Sequence, residues 1–173
     1  KYVEDRIFDD ALLIVDEVIC GFGRTGNMFG CDTFQIKPDM MVIAKGLSSG
    51  YIPISALLIN EEIYDTISEF SSINKVFGHG YTYSGHPVAA AVALETIKIF
   101  KDENIIGHVK EISEKFNTKM EQLNVHSIVG NSRSIGLIGA VELVQNKNNK
   151  TYFNPNIGIG SRVVKNAQKN GLI

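Results

Sequence analysis

Apolar residues occur in continuous blocks along the chain, and the lengths of these blocks predict an α/β protein. Runs at residues 11–19, 40–45 and 53–60 are rich in large and β-branched apolar residues, as expected of strands. Strands that are apolar without alternation are usually buried on both faces, as in parallel sheets. We therefore expect these three runs to form interior strands of a mostly parallel sheet.

Helical spacing of apolar positions marks the segments that lie after these strands. The run that follows Pro87 is almost entirely apolar, which predicts a buried helix. Proline suits the first helical turn because its missing amide proton needs no partner there. We expect amphipathic helices at 61–69, 104–123 and 160–170, strands at 127–130 and 135–143, and a polar loop at 145–159.

Two of the predicted strands end in a side chain that can do chemistry. Asp16 lies at the end of the first apolar run, and Lys45 ends the second. Parallel strands present their carboxyl ends to a common ligand crevice, so we expect the carboxylate and the amine at one site. The residues alone leave two other interpretations open, which are a structural ion pair and separate exposure to solvent.

A lysine at the end of a buried strand is suited to covalent chemistry. Burial of an unpaired ammonium is costly, whereas a desolvated or cation-flanked amine is a nucleophile that forms a Schiff base with a carbonyl. Pyridoxal phosphate combines such a lysine with an acid, because its protonated ring nitrogen requires an anionic partner. Asp16 and Lys45 are the residue types that this cofactor needs.

Three motifs resemble those of the class III pyridoxal-phosphate aminotransferases, in the order and with the spacing of that family. The first is Asp-Glu-Val followed by Gly-Phe-Gly-Arg-Thr-Gly, at residues 16–26. The second, at 38–53, contains Lys45 and ends in Gly-Tyr-Ile-Pro, and the third is Gly-Tyr-Thr-Tyr-Ser-Gly-His-Pro at 80–87. The resemblance extends over residues 8–145 and includes the omega-amino acid transaminases.

The resemblance implies roles for several residues of these motifs. Lys45 would form the Schiff base with the cofactor and carry protons during the reaction, while Asp16 would bind the pyridine nitrogen. Val18 would pack against the cofactor ring, and Glu17 would hold the loop by hydrogen bonds. Thr82 would bind the cofactor phosphate of the partner subunit, which implies a homodimer with shared active sites.

Other polar residues in these motifs are expected to have structural roles. Arg24 carries a guanidinium of the kind that binds carboxylates, but the resemblance indicates that an arginine at this position is structural. Ser84 is expected to cap the helix that follows. His79 and His86 belong to no nucleophile or metal pattern, so we expect satisfied loop or core histidines and no metal site.

The glycine run at 21–26 also fits the letters of the dinucleotide-binding fingerprint. That fingerprint requires a helix whose N-terminus holds a pyrophosphate. Asp16 and Glu17 would repel phosphate here, and residues 27–32 are poor helix formers. A nicotinamide oxidoreductase is therefore the less favoured alternative.

Composition limits the class of protein. The 173 residues are 44% hydrophobic with a formal net charge of −2, which suffices for a sizeable core and gives no basic excess for nucleic acid. The sequence contains no apolar run long enough to span a bilayer. Cys20 and Cys31 form neither a metal pattern nor a disulfide framework, so we expect free thiols and a cytoplasmic protein.

The fold implied by the resemblance is α/β, of fold-type I. Residues 1–103 would belong to the cofactor-binding large domain, and 104–173 would form the connecting helix and the start of a small α/β domain. Members of the family are longer on both sides, so we expect an internal fragment that is inactive alone. The family's other phosphate-binding loop and its carboxylate-binding arginine would lie outside these residues.

The activity implied by the resemblance is transfer of an amino group. The donor would be an amine or omega-amino acid, and the acceptor an oxo-acid or aldehyde such as pyruvate or 2-oxoglutarate. A mutase or decarboxylase on the same cofactor, and a non-catalytic homologue or fragment, remain alternatives. The Gly-Phe-Gly-Arg-Thr-Gly run disfavours the aminomutase branch, which departs from the pattern there.

Overall fold

A three-stranded sheet lies within the first part of the computed structural model, which describes residues 11–172. Its strands are β1 (Ile14–Asp16), β2 (Met40–Ile43) and β3 (Ala56–Ile59), in the order β1-β2-β3. The chain divides into two compact units, one that ends at Lys110 and one that begins at Glu111. The three predicted apolar runs therefore do contain strands, each shorter than its run.

The sheet is mixed rather than mostly parallel. Strands β1 and β2 are parallel, whereas β2 and β3 are antiparallel. A parallel pair needs a long crossover connection, and residues 17–39 between β1 and β2 provide one. Residues 44–55, which lead from β2 to β3, contain one 3₁₀ turn and no crossover helix, and the chain returns in the opposite direction.

The expectation that these strands are buried on both faces is wrong for the two edge strands. All four residues of β3 are exposed, and Ile14 of β1 is 57% exposed. An edge strand has a neighbour on one side alone, and residues 11–172 contribute too few elements to cover both faces of this sheet. Only β2, in the middle, supplies a fully buried side chain, that of Ile43.

Three helices accompany this sheet in the first unit: α1 (Gly30–Phe34), α2 (Glu61–Asn74) and α3 (Pro87–Asp102). Helix α2 begins where predicted, because the Asn60 side chain accepts a hydrogen bond from the amide of Ile63. Proline occupies the first position of α3, as expected. Helix α3 is buried along one face only, at Ala89, Ala93 and Thr96, which recur at helical spacing.

The core of the first unit is a small cluster between strand β2 and helix α3. Ile43, Leu47 and Ala93 are its buried members. The partly buried apolar residues that pack against them are Phe22, Phe29, Met41, Ile54 and Ile97. Because Ile43 and Leu47 flank residues 44–46, the chain just after β2 is anchored in this core at both ends.

The second unit is built around a second sheet. Helix α4 (Ile105–Gln122) contains the boundary between the units, and β4 (Val129–Ile135), β5 (Ile138–Asn146) and β6 (Thr151–Tyr152) follow it as an antiparallel sheet. Helix α5 (Ile159–Lys169) completes the described chain. The short strand β6 lies in the segment for which the sequence predicts only a polar loop.

None of the helices between residues 11 and 172 has the length and apolar character needed to cross a membrane.

Candidate active site

Asp16 and Lys45 lie at the same edge of the first sheet. In the parallel pair, Asp16 is the last residue of β1 and lies opposite Val42 of β2. Strand β2 ends one residue later, at Ile43, and Lys45 opens the 3₁₀ turn that follows. The two functional groups are therefore carried on neighbouring strand ends, as the sequence predicts.

Lys45 is exposed and has an unusual backbone conformation. Its φ is +40°, in the left-handed region that residues with a side chain rarely adopt. Its Nζ has no hydrogen bond or ion pair with any residue that the structure describes. From the sequence, we considered a desolvated amine at Lys45. Among residues 11–172 nothing covers this amine, and it is open to solvent.

Asp16 is also exposed, and its carboxylate is held locally. Its Oδ1 accepts a hydrogen bond of 2.9 Å from the amide of Val18. Among the described residues no ion pair joins Asp16 to Lys45, so the structural ion pair considered from the sequence is not formed. Both side chains remain available to a third group.

A cavity of about 450 Å³ opens beside Lys45. Val18 and Lys45 line it together with Phe22, Arg24, Gly46 and Phe100. Two of the four predicted cofactor-binding residues therefore share this cavity, whereas Asp16 and Thr82 are not among its lining residues. From the sequence, we did not predict that Phe22 lines this cavity. Its position inside the glycine run, next to the predicted site residues, was the signal that could have indicated it.

Glu17 holds the glycine-rich loop, as predicted. Its side chain is 1% exposed, and its two carboxylate oxygens accept hydrogen bonds from the amides of Gly30 at 2.9 Å and Cys31 at 2.7 Å. These are the first two amides of helix α1, which have no partner inside the helix. The carboxylate therefore fixes the far end of the loop to strand β1.

The same carboxylate affects the thiol of Cys31. Burial raises the pKa of Cys31 to about 12, and the hydrogen bond and negative charge of Glu17 add to the increase. The pKa of Cys20 is also raised, by burial first and then by the charges of Glu17 and Asp16. Both cysteines are free, as expected from the sequence.

The glycine run does not form a dinucleotide site. Residues 21–26 form turns, and helix α1 begins only at Gly30. The first amides of that helix already donate to Glu17, so they are not available to a pyrophosphate. This arrangement supports the interpretation of the run as a structural loop.

Thr82 lies in an exposed loop before helix α3, within the turn at 82–85. The predicted helix cap by Ser84 is wrong: its Oγ accepts a hydrogen bond of 3.0 Å from the amide of Tyr81, and His86 occupies the cap position. The serine is two residues too early to reach the first helical amides. It stabilises the turn that carries Thr82 instead.

The two histidines of this loop lie against aromatic rings. The ring of His79 is 5.7 Å from that of Phe77 and 5.5 Å from that of Tyr81, measured between centroids. His86 packs edge-on against Tyr83 at 5.9 Å. From the sequence, we expected histidines in a loop or in the core. Both lie in the exposed loop, and neither is in the core.

Comparison with known proteins gives one consistent family. Residues 8–173 match the family model of the class-III aminotransferases. Gamma aminobutyrate transaminase 3, chloroplastic, of Solanum lycopersicum is 48% identical over 164 residues, which are 95% of this chain and 32% of the relative. The probable gamma-aminobutyrate transaminase 3, mitochondrial, of Oryza sativa subsp. indica is 48% identical over 166 residues, again 95% and 32%.

Solved structures agree in fold. A transaminase with L-alanine is 46% identical and superposes with a TM-score of 0.92 over 96% of this chain and 39% of that structure. The omega transaminase from Pseudomonas jessenii in complex with PMP is 46% identical, with a TM-score of 0.84 over 87% and 33%. The chain thus spans about one third of the length of the relatives it matches.

Proposed function

The chain belongs to the class-III aminotransferases, and from this membership we propose that the protein is a pyridoxal-phosphate-dependent transaminase of fold-type I. Because the chain spans about one third of its relatives, the activity of the whole protein is part of the proposal. The observation that carries it is the pairing of Asp16 and Lys45 on adjacent strand ends, with Lys45 and Val18 in one cavity.

The residues present fit this cofactor. Lys45 offers an amine without a partner among the described residues, and Asp16 offers a carboxylate whose single hydrogen bond leaves room for another. Val18 adds an apolar surface on the cavity wall, suitable for packing against a ring. A fixed amine, an acid and an apolar wall are what an aromatic aldehyde with a basic ring nitrogen requires.

Each of these side chains then has a task in the reaction. Pyridoxal phosphate, when bound, supplies the carbonyl and the electron sink that let an amino group move between two substrates in two half-reactions. The amine of Lys45 would hold the cofactor through its carbonyl and serve as the base and acid for proton transfer. The carboxylate of Asp16 would hold the basic ring nitrogen, and Val18 would give the ring an apolar surface to pack against.

The test of this proposal uses the complete reading frame that encodes the chain. The protein is incubated with pyridoxal phosphate, reduced with borohydride and digested, and the modified peptide is identified by mass. A phosphopyridoxyl group on Lys45, absent from Lys45→Arg and retained in Lys165→Arg, an exposed lysine of α5, supports the proposal. An unmodified protein, or modification at another lysine, contradicts it.

We also propose that Thr82 binds the cofactor phosphate across a homodimer. Its exposed position in a loop, with a hydroxyl that has no partner among the described residues, supports a contact outside its own chain. Thr82→Val should weaken cofactor binding by about tenfold to 150-fold, since a hydrogen bond to a charged group contributes roughly 1.5–3 kcal/mol. Thr82→Ser is the matched control, because it keeps the hydroxyl and should retain most of the affinity.

A mixing experiment tests the shared site directly. Lys45→Ala retains Thr82, and Thr82→Val retains Lys45, so a heterodimer of the two variants contains one site with both residues intact. Tight cofactor binding should be recovered at one of the two sites of each heterodimer. If mixtures bind no better than the separate variants, Thr82 does not act across subunits.

The substrate class is proposed from the relatives, whose names include gamma-aminobutyrate and omega transaminases. We expect an omega-amino acid or amine as donor, and pyruvate or 2-oxoglutarate as acceptor. Assays with 4-aminobutyrate and L-alanine, each with and without an acceptor, separate the alternatives. A product that forms without an acceptor would indicate a mutase or decarboxylase.

Two further expectations remain proposals. One is the division into a large domain at 1–103, whose complete sheet would be mostly parallel, and a connecting helix with the start of a small domain at 104–173. The other is a cytoplasmic location, although two of the relatives are named as chloroplastic or mitochondrial. Cell fractionation of the tagged complete protein would test the location.

A further inference from the structure

Phe22 lies directly against the backbone of Gly46, the residue that follows Lys45. A Cβ atom placed on Gly46 would be 2.6 Å from Cβ of Phe22 and 2.9 Å from both its Cγ and its Cδ2. These three atoms are the nearest neighbours at that position, so the base of the Phe22 side chain covers Gly46 without a gap. No residue with a side chain fits at position 46 unless Phe22 moves.

Phe22 is itself firmly held. Its amide donates a hydrogen bond of 2.7 Å to the carbonyl of Met28, across the glycine-rich loop. Its ring is packed edge-on between those of Phe29 at 5.8 Å and Phe100 at 5.9 Å. Its φ of +63° shows that the loop places this residue in a conformation that phenylalanine does not choose by itself.

Lys45 needs an external restraint, because its own φ of +40° is unfavourable for a residue with a side chain. The chain is anchored on both sides of it by the buried side chains of Ile43 and Leu47. The turn is closed by the amide of Leu47 on the carbonyl of Ala44 at 2.9 Å. The contact of Phe22 with Gly46 adds a restraint on the residue that directly follows Lys45.

We infer that Phe22 is a positioning residue for Lys45: by pressing on Gly46 it keeps the strained turn in place and aims the amine into the cavity that both residues line. This inference rests on the proposed function of Lys45. Phe22 acts through the backbone and takes no part in the chemistry. Its loss should therefore slow the reaction of Lys45 while leaving the affinity for substrates nearly unchanged.

The experiment compares variants of the complete protein in three measurements: the rate at which Lys45 is trapped with pyridoxal phosphate and borohydride, kcat and KM with 4-aminobutyrate or L-alanine, and the thermal midpoint. Phe22→Ala keeps Cβ but removes Cγ and Cδ2 from the contact with Gly46. It should lower both the trapping rate and kcat roughly tenfold, with KM changed less than about twofold. Phe22→Leu keeps the atoms that touch Gly46 and should restore most of the rate. Ile54→Ala removes an apolar side chain from the same core without touching the rings that hold Phe22, and should lower stability without slowing the trapping.

Gly46→Ala tests the contact from the opposite side and leaves the aromatic core intact, in case Phe22→Ala does not fold. It should slow trapping to a similar extent, and the two changes combined should be less than additive because they disrupt one contact. If the wild-type protein is not modified at Lys45, the proposed function fails. If it is modified at Lys45, but Phe22→Ala and Gly46→Ala react at its rate, or Ile54→Ala slows trapping equally, the positioning role is overturned and the proposed function stands.

Discussion

At the scale of single residues, the buried carboxylate of Glu17 links the glycine-rich loop to the strand end that carries Asp16. It is almost inaccessible to solvent and accepts hydrogen bonds from two backbone amides at the start of α1, while its own backbone directly follows β1, next to Asp16. The two hydrogen bonds stabilise the loop, because they satisfy the buried carboxylate. Without them, the two amides would be left without an acceptor, which is costly when they are buried. Glu17 therefore connects the loop geometry to the position of Asp16.

Replacing Glu17 should test this connection. Glu17→Gln retains one oxygen but turns an NH₂ group towards one of the two amides, so we expect the free energy of unfolding to fall by about 2 kcal/mol. Urea denaturation of the complete protein measures the change. Glu114→Gln, at an exposed position of α4, is the control and should change stability by less than about 0.5 kcal/mol.

Cys31 should make stability depend on pH in the alkaline range. Its folded pKa of about 12 lies above the ordinary value of 9.0, so the folded state keeps a proton that the unfolded state releases. The stabilisation is complete below pH 9 and is lost as the pH rises towards 12, at up to about 1.4 kcal/mol per pH unit. Urea midpoints from pH 8 to 10.5 should fall less steeply in Cys31→Ala than in the wild type, and equal slopes would exclude this origin.

The sequence predicted individual residues well where one interaction determines the outcome. Pro87 begins its helix and Glu17 bonds the loop, since each follows from one local chemical requirement. The cap by Ser84 failed because a nearer amide, that of Tyr81, competed for its hydroxyl. Which of two neighbouring donors a serine uses depends on the turn geometry, which the spacing of residues does not specify.

At the scale of elements, the close approach of β4 and β5 depends on Gly130. A Cβ on Gly130 would lie 2.7 Å from Cγ1 and 3.1 Å from Cγ2 of Val144, which is only 2% exposed. Valine is stiff at χ1, so it cannot turn its methyl groups away. Gly130 of β4 thus leaves the space that the methyl groups of Val144 in β5 occupy.

Gly130→Ala should therefore lower the free energy of unfolding by about 2 kcal/mol through overpacking. The double variant Gly130→Ala with Val144→Ala removes the obstructing methyl groups and should lose less than the sum of the two single changes. Gly160→Ala in α5 has no neighbour within 4 Å and should be neutral or slightly stabilising. Strictly additive losses in the double variant would show that the contact is not responsible.

At the scale of the whole molecule, residues 11–172 leave much apolar surface uncovered. Tyr51 and Tyr83 are at least 80% exposed, and Ile73 and Leu94 about 70%. Large apolar side chains that are exposed in such number usually contact another part of the chain or a partner. The relatives, of which the chain spans about one third, have additional segments that could cover such a surface.

We accordingly expect the 173-residue chain, expressed alone, to self-associate and to bind a hydrophobic dye. The protein encoded by the complete reading frame should form only its native oligomer and should not bind the dye. Size-exclusion chromatography with light scattering, and 8-anilinonaphthalene-1-sulfonate fluorescence, measure both properties. A monodisperse monomer of the isolated chain with no dye binding would contradict this expectation.

The sequence by itself determined the family, the α/β character and the order of the longer helices and strands, because motifs and periodicity are local properties of the chain. It missed the short helix α1 and the short strand β6. It also determined that Asp16 and Lys45 end neighbouring strands, since parallel pairing brings carboxyl ends to one edge. Only the tertiary structure decided that β3 is antiparallel, that the two edge strands are exposed, and that Phe22 lies against Gly46. These features depend on which distant segments meet and how closely, and a pattern of residue types contains no distances.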